Sequence, residues 1–287
     1  AILRLAGHEL KIHRKAIDFD KEPIEINHKR DIVVDTGRKY DPSRGLFDHH
    51  QAFLRDSDGF IASTGMVWWQ YGYDAVARYT PGAEEKAVTW AADRVQKALI
   101  QPLDTWDADP KARAVLFGSD DKEYNVPHLA RMVSQMNYEN FRIDPEKQDT
   151  HFKNAMYFCQ TVLELEIRSQ VRWVKDAYRF QENVREQCDG RVLILDKAMS
   201  WREMTHVFYP RAQFVIMPGT QSAWSVIATT THPSVRTMIA PEGIVRPVWF
   251  AGFIHQGRWI AGCSSFEEAM DVAEASIVAP EKTNALG

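Results

Sequence analysis

Apolar residues recur along this chain in two rhythms, and their alternation sets out an α/β protein. Ile2, Leu3 and Leu5 open an apolar helical pattern, and Glu9–His13 is predicted as a short strand. Asp31-Ile-Val-Val-Asp35, followed by Thr36-Gly37, is a β-branched run bounded by Asp and Gly. It predicts a buried strand with an acid at its C-terminal end, where ligands bind in α/β sheets. Tyr40–Gly45 is rich in turn residues, and Leu46–Gln51 returns toward the sheet. Residues 62–80 and 82–100 predict two helices. The first contains Met66, Val67, Trp68 and Trp69; the second places Ala87, Trp90, Ala91, Val95, Ala98 and Leu99 near the 3.6 period. Pro102–Pro110 follows as a short acidic segment.

Residues 151–187 carry the longest helical pattern, with Phe152, Met156, Cys159, Val162, Leu163, Ile167, Val171, Val174 and Tyr178 on one face. The other face presents Arg168, Arg172, Lys175 and Arg179, either a solvated stripe or a track for phosphates. Asp189-Gly190 is expected to stop this helix. Beyond it, Val192–Leu195, Phe214–Met217, Trp224–Ile227, Phe250–His255 and Trp259–Gly262 predict strands, with a helix over 201–208 and turns at Pro218-Gly219 and Gly257. Ser264-Ser-Phe-Glu267 and Ser265-Phe-Glu-Glu268 both have capping-box spacing and open a last helix to about Ser276. Three segments follow: residues 1–150, a connecting helix over 151–188, and a smaller α/β domain over 189–280, ahead of a loose tail.

Composition narrows the function classes. Hydrophobic residues are 45% and charged residues 26% of 287, so a packed core is affordable. No run reaches the roughly 18 apolar residues of a membrane span, and no membrane partner is expected. Cys159, Cys188 and Cys263 have no C-x-x-C spacing, which argues against a zinc ribbon or disulfide framework and makes the cytoplasm the default location. A net charge of −4 disfavours a globally basic nucleic-acid binder, but metal ions can act as counter-charge for phosphate.

The chemistry-bearing set is Asp35, Asp48, His49, His50, Asp104 and Asp107. Carboxylates and imidazoles are ligands for Mn²⁺, Mg²⁺ or Zn²⁺. A strand-end Asp35 and a returning Asp48-His49-His50 can meet at one sheet edge. Neighbouring strand residues point to opposite faces, so consecutive ligands imply a loop or a division of roles. The remaining candidates carry less. His8, His13, His28, His128, His151, His206 and His232 form no ligand set, Ser222 and Ser225 lack a nucleophile elbow, and no phosphate-binding glycine loop occurs.

Asp31–Gly37, Tyr40-Asp-Pro42 and Phe47-Asp48-His49-His50-Gln51 together resemble the MYG1 family of the DHH phosphoesterase superfamily, relatives of RecJ exonucleases and family II pyrophosphatases. The resemblance extends through Thr64–Gly72, Leu103–Asp107, Val192–Asp196 with Trp201, and Phe250–Gly262. It implies a two-domain DHH-like fold, with a parallel-sheet N-terminal domain joined by the long helix to the C-terminal domain. It implies a metal-dependent 3′–5′ exonuclease acting on RNA or single-stranded nucleic acid through two divalent cations, Mn²⁺ foremost and Mg²⁺ as the substitute. In a eukaryote the location would be mitochondrial or nuclear, and a homodimer is compatible with the resemblance.

Carried over by residue, Asp35 would bridge the ions and His49 would ligate one. Asp104 or Asp107 would add a carboxylate. Asp48 would ligate or orient His49, and His50 would contact the phosphate or leaving oxygen. Arg236, His255 and Gly262 would hold substrate, although the family's Gly-Gly pair reads Ala261-Gly262 here. The helical pattern is already under way at Ala1, with neither Met nor an N-cap residue ahead. Further residues, including the family's upstream H-x-G-x-F-H-x-D-type metal motif, are therefore expected before it. Were that motif missing from the protein, the alternative is a catalytically impaired module that binds nucleic acid or a protein. A hydrolase of small phosphates such as oligonucleotides, cyclic dinucleotides or pyrophosphate is the third reading.

Overall fold

The computed structural model describes residues 1–12, 27, 31–50, 55–56, 59–108, 129, 132–133, 145–229 and 252–277. The chain forms two compact units, residues 1–174 and 175–287, and both mix helices with strands. The α/β class therefore holds.

The first unit opens with helix α1 (Ile2–Leu5). The predicted strand at Glu9–His13 does not form. Residues 9–12 are irregular, and His13 lies outside the described residues. Leu10 and Ile12 alternate with Glu9 and Lys11, but among the described residues no strand pairs with this run, and Ile12 is 38% exposed. Strands β1 (Val33–Val34), β2 (Tyr40–Asp41) and β3 (Leu46–Phe47) make a sheet of order β1-β3-β2. β1 and β3 run parallel, Val33 opposite Leu46 and Val34 opposite Phe47, while β2 is antiparallel to β3. The described sheet is thus mixed rather than parallel throughout. The expected buried run shortens to two residues: Val33 is buried but Val34 is 39% exposed. The chain leaves the ladder at Asp35, whose φ is 58°. A small antiparallel hairpin, β4 (Arg55–Asp56) and β5 (Gly59–Phe60), precedes the helices.

Helix α2 (Ser63–Ala77) buries Met66, Val67, Trp68, Ala75 and Val76. Its Tyr71 ring lies 5.9 Å from that of Phe47 on β3, so the helix is seated on the sheet. Helix α3 (Glu85–Val95) runs through a π-turn, Gln96–Ile100, into helix α4 (Gln101–Ala108). The short acidic segment after the second predicted helix is therefore itself helical as far as Ala108. Pro102 explains both features. It lacks an N–H and clashes with the preceding turn of a regular helix, but it is tolerated near the start of a new one. The wider π-turn provides that restart.

Helix α5 (Pro145–Asn183) begins before residue 151 and stops short of 187. Leu163, Ile167, Val171, Val174, Ala177 and Phe180 are buried along it, while Arg168, Arg172, Lys175 and Arg179 are exposed. Val184–Gln187 is not its last turn but strand β6, antiparallel to β7 (Val192–Leu195). Cys188, Asp189 and Gly190 between them all have positive φ (54°, 56° and 77°). Asp189-Gly190 is accordingly a hairpin turn rather than a helix stop.

The second unit holds a six-stranded sheet of order β10-β11-β9-β8-β7-β6. Strands β8 (Phe214–Pro218) and β9 (Trp224–Ala228) form its centre, and β10 (Phe253–Ile254) and β11 (Ile260–Cys263) close one side. The pairing of β7 with β8 is parallel, and helix α6 (Arg202–Phe208) lies between them in sequence. Val192, Ile194, Phe214, Ile216, Val226, Ala261 and Cys263 form a core with Ala269, Val272 and Ala273 of helix α7 (Phe266–Ser276). Of the two overlapping capping boxes, the second supplies the N-cap, Ser265, while its Glu268 carboxylate reaches one residue further back, to Ser264. Ser265 Oγ accepts the Glu268 N–H at 3.1 Å, and Glu268 Oε2 accepts both the N–H and hydroxyl of Ser264 at 2.6 Å. Among the described residues, no helix is long and apolar enough to cross a membrane.

Candidate metal centre

Asp35 and Asp48 follow directly on β1 and β3, two adjacent parallel strands. The Asp35 N–H reaches Phe47 O at 2.9 Å, so the ladder continues up to the acid before the chain turns away. Parallel pairing thus brings two carboxylates, 13 positions apart in sequence, to the carboxyl edge of one sheet. Donor atoms of Asp35, Asp48, His49 and His50 all lie within 4.8 Å of one another.

These four residues divide into two pairs. Asp48 is buried and its carboxylate is occupied. Oδ2 accepts the Arg38 N–H at 2.8 Å, and Oδ1 accepts the His50 N–H at 2.9 Å and meets His50 Nδ1 at 2.6 Å. Positive φ at Gly37 (95°) and Arg38 (55°) coils the loop so that the Arg38 N–H faces the carboxylate. Burial raises the Asp48 carboxyl, but hydrogen bonds from the His50 and Arg38 N–H groups and from the His50 ring outweigh it and leave the group below its ordinary value. His50 is raised, chiefly by the hydrogen bond to Asp48, against a smaller lowering by burial. Nδ1 of His50 is therefore the proton-bearing side of a carboxylate–imidazole pair, and its ring is exposed.

His49 belongs to the second pair and is oriented by Ser63, not by Asp48. Ser63 Oγ donates to Asp35 Oδ1 at 3.1 Å and lies 3.0 Å from His49 Nδ1. The hydroxyl has one proton and Asp35 takes it, so the His49 contact requires a proton on Nδ1. Nε2, on the other side of the ring, faces Asp107 Oδ2 at 3.8 Å. Asp35 Oδ1 stands 3.5 Å from His49 Nδ1, and the two histidine rings stack with centroids 4.3 Å apart.

Asp104 and Asp107 separate clearly. Asp107 is half-exposed beside His49. Asp104 is buried, and its Oδ1 accepts the N–H of Gly65 at 2.8 Å in the first turn of α2. The N-cap of that helix is Ala62, which has no side-chain acceptor. Asp104 supplies the cap from another helix. Ser63, Gly65 and Arg38 are site residues that sequence reasoning misses. The Ser63-Thr-Gly65 opening of α2 is the signal that points to the first two, and Arg38, which acts through its backbone N–H, has none.

A divalent cation suits this donor set. Asp35 and Asp107 offer hard carboxylate oxygens, and His49 offers, beside Asp107, the imidazole nitrogen Nε2. Its Nδ1 partner fixes the ring, as ligating histidines require. In the second unit, His255 is exposed on the turn after β10, and its Nδ1 accepts the Gly257 N–H at 3.0 Å. The space a Cβ would need at Gly262 is taken by the Phe253 ring at 2.5 Å. Arg236 lies outside the described residues.

Comparisons with known proteins agree with the motif. The model of the MYG1 exonuclease family, described as "Uncharacterised protein family (UPF0160)", matches residues 13–238. The MYG1 protein of Schizosaccharomyces pombe is 22% identical over 284 residues, covering 88% of this chain and 85% of that protein. The MYG1 exonuclease of Rattus norvegicus is 21% identical over 290 residues, 86% of this chain and 73% of its own. The human MYG1 exonuclease is 26% identical over 88 residues, 27% of this chain and 23% of its own. No solved structure matches. The family match spans most of the sequence and includes the Asp35 and Asp48-His49-His50 elements, so this chain belongs to the MYG1 exonuclease family.

Proposed function

We propose that this protein is a metal-dependent phosphodiester hydrolase that trims RNA or single-stranded nucleic acid from the 3′ end, with two divalent cations and Mn²⁺ preferred. The observation that carries the reading is the gathering of Asp35, Asp48, His49 and His50, whose donor atoms all lie within 4.8 Å of one another. Beside them, Ser63 Oγ lies between Asp35 Oδ1 and His49 Nδ1, and His49 Nε2 faces the Asp107 carboxylate at 3.8 Å. The 3′ polarity, the RNA preference and the second cation rest on the family resemblance.

In this reading Asp35, His49 and Asp107 hold the ions. A bound divalent cation lowers the pKa of a water and neutralises charge on the phosphoryl oxygens. Asp48 holds His50 by Nδ1 and favours its protonated form. Nε2 of His50 is then the atom that carries a proton toward the leaving oxygen. Asp104 anchors the start of α2 and keeps Ser63 in place.

The test is hydrolysis of a 5′-labelled single-stranded RNA with Mn²⁺. Shortening from the 3′ end, stopped by EDTA and lost in Asp35→Asn and His49→Asn, is expected. Full activity in either variant overturns the site assignment. A strong preference for pyrophosphate or dinucleotides over long RNA moves the protein to small-phosphate substrates.

A further inference from the structure

We propose that the second unit carries a phosphate-binding pocket for a nucleotide, with Arg179 and Lys197 as its cationic walls. The proposal rests on the nuclease reading only for the class of ligand. A cleft of about 300 Å³ is lined by Asp176 and Arg179 of α5 and by Lys197, Ala198, Met199 and Ser200 of the loop after β7. That loop leaves the carboxyl end of β7, which is paired in parallel with β8 and followed in sequence by α6. Crevices outside such strand ends are where α/β sheets bind ligands.

The charges around the cleft favour an anion. Arg179 Nη1 stands 3.8 Å from Asp176 Oδ1, beyond hydrogen-bond reach, and its side chain is 70% exposed. Its guanidinium fork is therefore available for a bidentate phosphate contact. Lys197 is exposed and has no ion pair among the described residues. The nearest acid in sequence, Asp196, is engaged by Arg185 at 2.5 Å and does not neutralise it. Lys175 lies one helical turn before Arg179 and is exposed. Ser200 adds a hydroxyl donor, and Ala198 and Met199 give an apolar wall. This volume sits at the low end for small-molecule sites, about 300–1,000 Å³, and suits one nucleotide unit. The basic face of α5 thus ends in a pocket, which favours the phosphate-tracking reading of its last two cations over simple solvation.

The test is calorimetric titration of the full chain, in EDTA, with AMP, adenosine and the dinucleotide pApA. AMP is expected to bind at least about tenfold more tightly than adenosine, the effect of one charge-assisted contact. Arg179→Ala and Lys197→Ala are each expected to weaken AMP about tenfold, with unchanged far-ultraviolet dichroism because both side chains are exposed. Tighter binding of pApA identifies a nucleic-acid chain as the source of the phosphate, and equal binding identifies the free nucleotide. Equal AMP affinity in wild type and the Arg179→Ala/Lys197→Ala double variant overturns the pocket, as does no AMP binding at millimolar concentration. Loss of AMP binding in Asp35→Asn rather than in these variants also overturns it. Because EDTA removes divalent ions, failure of the metal reading leaves this outcome unaffected.

Discussion

The Asp104 carboxylate accepts the N–H of Gly65 at 2.8 Å and occupies the space that a Cβ on residue 65 would need. A glycine in the first turn of α2 is thereby explained by close approach. Gly65→Ala pushes Asp104 off the helix start and leaves the N–H of residue 65 without its acceptor. The expected cost is about 1–3 kcal/mol, read from urea denaturation. At an ordinary helical position the same substitution stabilises by up to about 1 kcal/mol, so a gain in stability would refute the contact.

The two acids of α4 are expected to respond in opposite ways. Asp104→Ala removes the buried cap and lowers stability by about 1–3 kcal/mol. Asp107→Ala, half-exposed beside His49, changes stability by no more than about 0.5 kcal/mol but weakens Mn²⁺ binding. Parallel denaturation and Mn²⁺ titration of both variants distinguishes them. Equal loss of metal affinity without loss of stability in Asp104→Ala would place that residue among the ligands instead.

Ser63 is expected to matter to the metal without touching it. Removing its hydroxyl in Ser63→Ala frees His49 Nδ1 and lets the ring rotate or exchange tautomers. Outer-shell partners of this kind are worth about 10- to 100-fold in metal affinity. The same titration measures it, and wild-type affinity in Ser63→Ala would show that the ring is held by other contacts.

What the sequence makes legible depends on how local each cause is. Val33 and Leu46 announce strands through their neighbours, and Asp35 and Asp48 follow at strand ends, so the acid edge can be read directly. The choice between Asp104 and Asp107 cannot, because three positions apart on a helix they share a face. Only Gly65, 39 residues away, decides which one is used as a cap. Val184–Gln187 reads as helix because its residues fit either period. Its strand exists through pairing with Val192–Leu195, a partner beyond the reach of helical periodicity. Asp48 choosing His50 over His49 likewise depends on the coil of residues 35–38, which no spacing rule encodes.

Cys263 offers a pH-dependent readout in the second unit, away in sequence from every residue assigned to metal. Burial, with the Glu268 carboxylate adding, pushes its thiol up to about 12. The unfolded chain titrates this group near about 8.5. Because the folded value is the higher one, the folded state retains the proton over that interval. The associated stability is complete below about 8.5 and is lost progressively as pH rises toward 12. At pH 8 the native thiol is thus both neutral and buried, and reaction with iodoacetamide requires the thiolate. Mass-spectrometric mapping is expected to find Cys188, which is partly exposed on its hairpin turn, alkylated well before Cys263. Denaturation by urea should make the two react alike. Equal native rates would mean that α7 opens from the sheet readily, and the core formed by Ala269, Val272 and Ala273 would then be weaker than its packing implies.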